Sequence, residues 1–174
     1  MTRTLPRSGF VLVVALASAL ALPVPAFAAT DESQLLQSYV GGWKGRGTTS
    51  SGGDTETVVC KLDITPAAQA KVNYNGRCSL AGGNLSIAGT MAYIEARKRF
   101  EAVMSSNTSF SGVAIGKRRG QAIDFQLKSR DPESGKDYAV DAGIALKSGN
   151  IEIEFSVTET ASGRKIVATV PFEK

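Results

Sequence analysis

From Thr55 to Ile64 the chain places an apolar residue at every second position, Val58, Cys60, Leu62 and Ile64, and the same period continues through Val72, Tyr74, Cys78 and Leu80. The rhythm returns in Leu85, Ile87, Met91 and Tyr93, in Ile123, Phe125 and Leu127, and in Tyr138, Val140, Ala142, Ile144 and Leu146. Near the end, Ile151, Ile153, Phe155 and Val157 alternate with Glu152, Glu154 and Ser156, while Ile166, Ala168, Val170 and Phe172 alternate with Lys165, Val167 and Thr169. Successive side chains of a strand point to opposite faces, so each run predicts a strand with one apolar and one wet face. A first strand through Trp43–Thr48 and two less regular ones near Phe100–Met104 and Phe110–Ile115 bring the number to about ten. Upstream of them, Leu35, Leu36, Tyr39 and Val40 recur at helical spacing. Thr30 or Asp31 is the cap and Gly41-Gly42 the stop, which predicts one short helix.

The connectors are short and rich in turn residues: Pro66-Ala67-Ala68-Gln69, Gly82-Gly83-Asn84, Arg118-Arg119-Gly120, Asp131-Pro132-Glu133-Ser134-Gly135, Ser148-Gly149-Asn150 and Ala161-Ser162-Gly163. Such turns join sequential antiparallel strands, and no crossover helix intervenes. About ten half-apolar strands in a meander must stack as a sandwich or close on themselves; closure removes exposed edges. The expected fold is all-β, an antiparallel up-and-down barrel with a short N-terminal helix, forming one domain over residues 29–174.

The two cysteines flank the turn at Pro66. If Cys60 faces Cys78, then Val58 faces Leu80 and Ile64 faces Tyr74, so the apolar sets coincide and both sulfurs lie on the apolar side. A disulfide is the simplest reading in an exported chain. A redox-active pair or a metal site has less behind it: there is no Cys-x-x-Cys, and two thiolates do not complete a zinc shell.

Export is read from the first segment. Arg3 and Arg7 precede a nearly unbroken apolar run from Phe10 to Leu22, and Ala26-Phe27-Ala28 offers the small residues of a cleavage site, predicting a signal peptide over residues 1–28. The run is about a dozen residues, against the roughly 20 of a spanning helix, so no transmembrane segment is expected. Periplasmic or secreted location follows. Removal of the leader leaves 146 residues and lowers the net charge from +4 to +2. That balance, with no basic helix or RNA-binding aromatic motif, argues against a nucleic-acid partner. Two basic runs remain, Arg97-Lys98-Arg99 and Lys117-Arg118-Arg119. They read as solvated turns, with an anionic partner such as a phospholipid headgroup or lipopolysaccharide as the sharper alternative.

The chain contains no histidine. Ser-His and Cys-His nucleophile pairs, imidazole acid–base chemistry and His-ligated zinc or haem are therefore excluded. Glu152 and Glu154 alternate with Ile151 and Ile153 and so face water, as do Asp124 and Asp141, leaving no desolvated carboxylate pair for acid–base work. No Gly-x-Ser-x-Gly elbow, phosphate-cradling loop or calcium loop is present. No enzyme activity and no cofactor are expected. The sequon Asn107-Thr108-Ser109 marks an exposed turn.

The stretch Val40-Gly41-Gly42-Trp43-Lys44-Gly45-Arg46-Gly47 resembles the start of the calycin superfamily, which includes lipocalins, fatty-acid-binding proteins, avidins and nitrobindin-like barrels. The resemblance implies that Trp43 packs across the closed end of the barrel under a basic residue from a late strand. A closer resemblance is to small exported bacterial proteins of uncharacterised function that share a Gly-x-Trp-x-Gly-x-Gly start, a Cys-[Lys/Arg]-Leu strand, an [Asn/Ser]-Gly-Arg-Cys strand and a Gly-[Lys/Arg]-Arg-x-Gly turn. Here these read Cys60-Lys61-Leu62, Asn75-Gly76-Arg77-Cys78 and Gly116-Lys117-Arg118-Arg119-Gly120. The haem function of nitrobindin-like barrels does not carry over, because their proximal histidine has no counterpart; Tyr74, Tyr93, Tyr138, Met91 and Met104 read as core rather than as iron ligands.

A barrel of this size can enclose one small molecule. The expected function is binding of a small apolar or amphipathic molecule, a lipid among them, in a pocket drawn from Trp43, Tyr74, Met91, Tyr93, Phe125, Tyr138 and Phe155. The alternative is a cavity-less interaction module, associated with the envelope or acting as a protease inhibitor, with Arg97, Lys98, Arg99, Lys117, Arg118 and Arg119 as its first candidate surface.

Overall fold

The computed structural model describes residues 30–80, 83–107, 111–130, 135–147 and 149–174. Residues 1–29, Gly82, Thr108 to Phe110, Asp131 to Ser134 and Ser148 lie outside the described residues, as does the side chain of Leu146. One helix, α1 (Asp31–Ser38), precedes ten strands: β1 (Gly41–Ser51), β2 (Asp54–Pro66), β3 (Val72–Leu80), β4 (Gly83–Ile94), β5 (Arg99–Ser106), β6 (Gly112–Arg119), β7 (Ala122–Arg130), β8 (Asp137–Lys147), β9 (Asn150–Glu159) and β10 (Lys165–Glu173). Each strand pairs antiparallel with its sequence neighbours, and β10 returns to β1, closing the barrel. Closure is the outcome the alternating pattern favours, since every strand then finds two partners and no edge is left open.

The α1 helix is capped by Thr30, whose hydroxyl accepts from the Ser33 N–H at 3.2 Å, and Asp31 and Glu32 in its first turn complement the helix dipole. Leu35 and Leu36 are buried against the barrel end. Tyr39 ends the helix and ties it down: its hydroxyl donates to the Gln121 carbonyl in the β6–β7 turn at 2.8 Å, and its own carbonyl accepts from the Trp43 indole N–H at 2.9 Å. Trp43 is buried, and the Lys174 ammonium, just past β10, sits 4.9 Å above its ring. Trp43 thus packs in the closed end of the barrel, under a basic residue that follows the last strand rather than one within it.

Strand pairing matches the predicted register between β2 and β3, with Cys60 opposite Cys78 and Ile64 opposite Tyr74. The two cysteines are joined in a disulfide with Cα atoms 4.0 Å apart. Two glycines let the sheet coil tightly. A Cβ at Gly47 would overlap the Thr169 carbonyl of β10, and one at Gly89 would overlap the Val103 carbonyl of β5, so only glycine permits the approach at either place.

The largest fully buried side chains, Trp43, Tyr39, Phe100, Leu36, Ile64, Ile123, Ile151 and Val72, collect where α1 meets the strand ends. They form a packed floor. Farther along the barrel Tyr74, Cys78, Leu80, Met104, Tyr138, Ile153 and Phe155 are only partly buried although they point inward. The packing is therefore dense at one end and open at the other. Among the described residues no helix is long and apolar enough to cross a membrane.

Candidate functional site

Above the floor the barrel encloses a cavity of about 540 Å³. Its wall is built by the inward phase of nearly every strand: Leu62 and Ile64 from β2, Tyr74 from β3, Ile87 and Met91 from β4, Met104 from β5, Phe125 and Leu127 from β7, Val140 and Ala142 from β8, Phe155 from β9 and Val170 from β10. The disulfide forms part of this wall. Five of the seven expected pocket residues are brought together here: Tyr74, Met91, Phe125, Tyr138 and Phe155.

Trp43 and Tyr93 are not in the wall. Trp43 lies in the floor, hydrogen-bonded to Tyr39 beneath Lys174. Tyr93 pairs with Phe100 across β4 and β5, the two rings 5.0 Å apart, and lines a separate cleft beside α1. Both have the inward phase, but α1 fills the barrel at their depth.

Tyr74 reaches across the narrowing at Gly89 and donates its hydroxyl to the Val103 carbonyl at 3.1 Å. Burial pushes its pKa up to about 12, because the apolar wall disfavours the phenolate. At the end of the barrel away from α1 the lining turns polar. Thr49, Ser106, Tyr138, Glu159 and Arg164 join the wall there, together with Ile166, which is 41% exposed, so the cavity reaches solvent at this mouth.

Glu159 stands out at the mouth as a buried carboxylate, 7% exposed. It continues the inward phase of Ile151, Ile153, Phe155 and Val157 and faces Tyr138 across β8 and β9. Two hydrogen bonds and an ion pair satisfy it: the Lys136 ammonium and the Ser162 hydroxyl donate, each at 2.8 Å, and the Arg164 guanidinium lies 3.3 Å away as a counter-charge. The Lys136 hydrogen bond, then that of Ser162, holds its carboxyl below the usual carboxylate range, and Lys136 is raised in turn. This cluster was missed in the sequence. Its signal was a carboxylate in phase with an apolar stripe, followed closely by an arginine in a turn.

The two basic runs meet in space. With Phe100 opposite Gly116, the β5–β6 register brings Lys98 and Arg99 next to Lys117 and Arg118, and the four line a cleft of about 240 Å³ with Glu32, Tyr93, Phe100 and Gly116. Most of this charge is already paired: Arg97 and Arg99 with Glu101 at 2.8 and 2.7 Å, Lys98 with Glu95 at 2.5 Å, Arg119 with Asp124, and Arg118 with Glu32 at 4.0 Å. Arg99, then Arg97, holds the Glu101 carboxyl below its usual range. Exposed pairs of this kind are largely screened, so the patch acts as a solvated surface with a small positive excess.

No family model and no curated protein matches the sequence. The structure is similar to the S-type phycobiliprotein lyase CPES from Guillardia theta, with a TM-score of 0.58 at 10% identity over 85% of this chain and 96% of that one. It is also similar to Rv2717c from M. tuberculosis, with a TM-score of 0.66 at 14% identity over 84% of this chain and 99% of that one. At such identities the likeness is one of fold: a closed ten-strand antiparallel barrel with a helix before its first strand.

Proposed function

We propose that this chain is a non-catalytic, exported barrel that carries a small apolar or amphipathic molecule. The cavity carries the reading: about 540 Å³ lies inside the ~300–1,000 Å³ range of small-molecule sites, its wall is aliphatic and aromatic, and its polar groups gather at the mouth. A solid-cored interaction module would need that volume filled, because protein interiors are otherwise close-packed. The carboxylates agree with a carrier. Glu154 and Asp141 are exposed, and Glu159 is held ionised by hydrogen bonds from Lys136 and Ser162 and the Arg164 charge rather than poised to take a proton. The disulfide and the leader-like first segment support export.

Native mass spectrometry of the chain from residue 29, purified without detergent from a periplasmic extract, tests this. A reproducible adduct that organic solvent releases, with the same mass bound and free, is the expected result. A clean apo mass together with no thermal shift across fatty acids and phospholipids would overturn the carrier, since a ligand that binds the folded chain must raise its melting temperature. One structurally similar protein is named a lyase. A released molecule altered in mass after incubation would replace the carrier by an enzyme.

A further inference from the structure

We infer that the ligand is an amphiphile with an anionic head, held tail-inward, and that Arg164 at the cavity mouth receives the head. The inference rests on the carrier reading and names its ligand class. Among the described residues the inward-facing charged groups of the lining lie at the mouth, which favours one orientation of a bound amphiphile: its tail lies against Phe125, Phe155 and Met91, and its head lies at the level of Tyr138 and Arg164. At ~30 Å³ for each water-sized group, the volume holds on the order of twenty non-hydrogen atoms.

The charge of the head follows from how the mouth cluster is wired. Among the described residues of the cluster Glu159 is the buried charge; its oxygens already accept from Lys136 and Ser162 and are ion-paired with Arg164. A cationic head would have to displace one of these donors to reach it. Lys136 and Arg164 both face this one carboxylate. Glu159 thereby holds Arg164 at the mouth through an ion pair at 3.3 Å that engages one edge of the guanidinium, which carries five N–H groups. Its side chain is 64% exposed while lining the cavity, so the remaining donors are open both to solvent and to a molecule in the mouth. Planar donors of this kind match a carboxylate, sulfate or phosphate oxygen pair.

Calorimetric titration with three probes of one tail, dodecanoate, dodecanol and dodecylammonium, kept below their aggregation limits, separates the claims. Dodecanoate is expected to bind at least about tenfold tighter than either other probe, one charge-assisted hydrogen bond being enough for that factor. Arg164→Ala is expected to erase the preference, dodecanoate losing at least about tenfold more affinity than dodecanol, and Arg164→Lys to keep part of it. Equal affinities, a preference for dodecylammonium, or an anion preference that survives Arg164→Ala would each overturn the head-group assignment and leave the carrier standing. Should Arg164→Ala lose dodecanol as well, Arg164→Gln, which keeps the length without the charge, decides in its place by the same criterion. Failure of all three probes with the unmutated chain would overturn the carrier reading itself.

Discussion

Cys60 and Cys78 sit on facing inward positions of β2 and β3, and their bond lies in the cavity wall. Closing a loop of 18-residue separation restricts the unfolded chain, which on the chain-entropy account stabilises the fold by on the order of 3 kcal/mol. Urea unfolding of a Cys60→Ser/Cys78→Ser variant is expected to show a loss of that order; a loss below about 1 kcal/mol would mean that the closed barrel already orders the hairpin. Tyr74 has a different signature. Its pKa moves from 10.0 to about 12 in the folded chain, so the unfolded chain gives up this proton first as pH rises. The contribution of Tyr74 to stability is therefore expected to be level below pH 10 and to fall between 10 and about 12. Thermal melts across that range check this, and Tyr74→Phe should fall less steeply.

Among the elements, β4 departs most from clean alternation, with Met91 and Ala92 both buried in succession. Gly89 is the cause, because there β5 crosses so closely that the strand coils and its faces rotate. Gly89→Ala would force its Cβ into the Val103 carbonyl, against a backbone that cannot yield as a side chain would. A cost above about 2 kcal/mol is expected from urea unfolding, whereas a change below about 0.5 kcal/mol would show that β4 and β5 are not pinched together. The β5–β6 pairing explains why Lys98-Arg99 and Lys117-Arg118 share one cleft although far apart in sequence. Their ion pairs with Glu95 and Glu32 explain why that cleft is not strongly basic.

In the whole molecule, α1 decides how the barrel interior is divided. Leu36, Tyr39 and Trp43 fill the end where β5, β7 and β9 begin, and the remaining length is left as cavity. Because the volume is open, adding a side chain there should satisfy the wall and exclude the ligand. Ala142 faces inward between its register partners Phe125 and Phe155. Ala142→Phe is expected to lower dodecanol affinity by more than about tenfold while stability holds or rises by about 0.5–2 kcal/mol. Unchanged affinity in titration would place the ligand outside the barrel, and a sharp loss in urea stability would show that the space was needed by neighbouring side chains.

The period of two along the chain was enough to determine seven of the strands, their inward faces and the pairing of Cys60 with Cys78, because alternation and antiparallel register are local properties that the side chains themselves encode; the first strand and the two less regular ones brought the number to about ten. It also supplied five cavity residues, since a face is all that Tyr74, Met91, Phe125, Tyr138 and Phe155 needed to share. Depth along the barrel axis was decided only in three dimensions. Trp43 and Tyr93 have the same inward phase as the wall, yet one lies in the floor and the other beside α1, because no pattern along a strand records where a helix from elsewhere will dock. The mouth was hidden for a different reason: Lys136 lies just before β8 and Arg164 in the turn after β9, loop positions that carry no alternation, and only the folded β8–β9 pair and its turn bring their side chains onto the inward-facing Glu159.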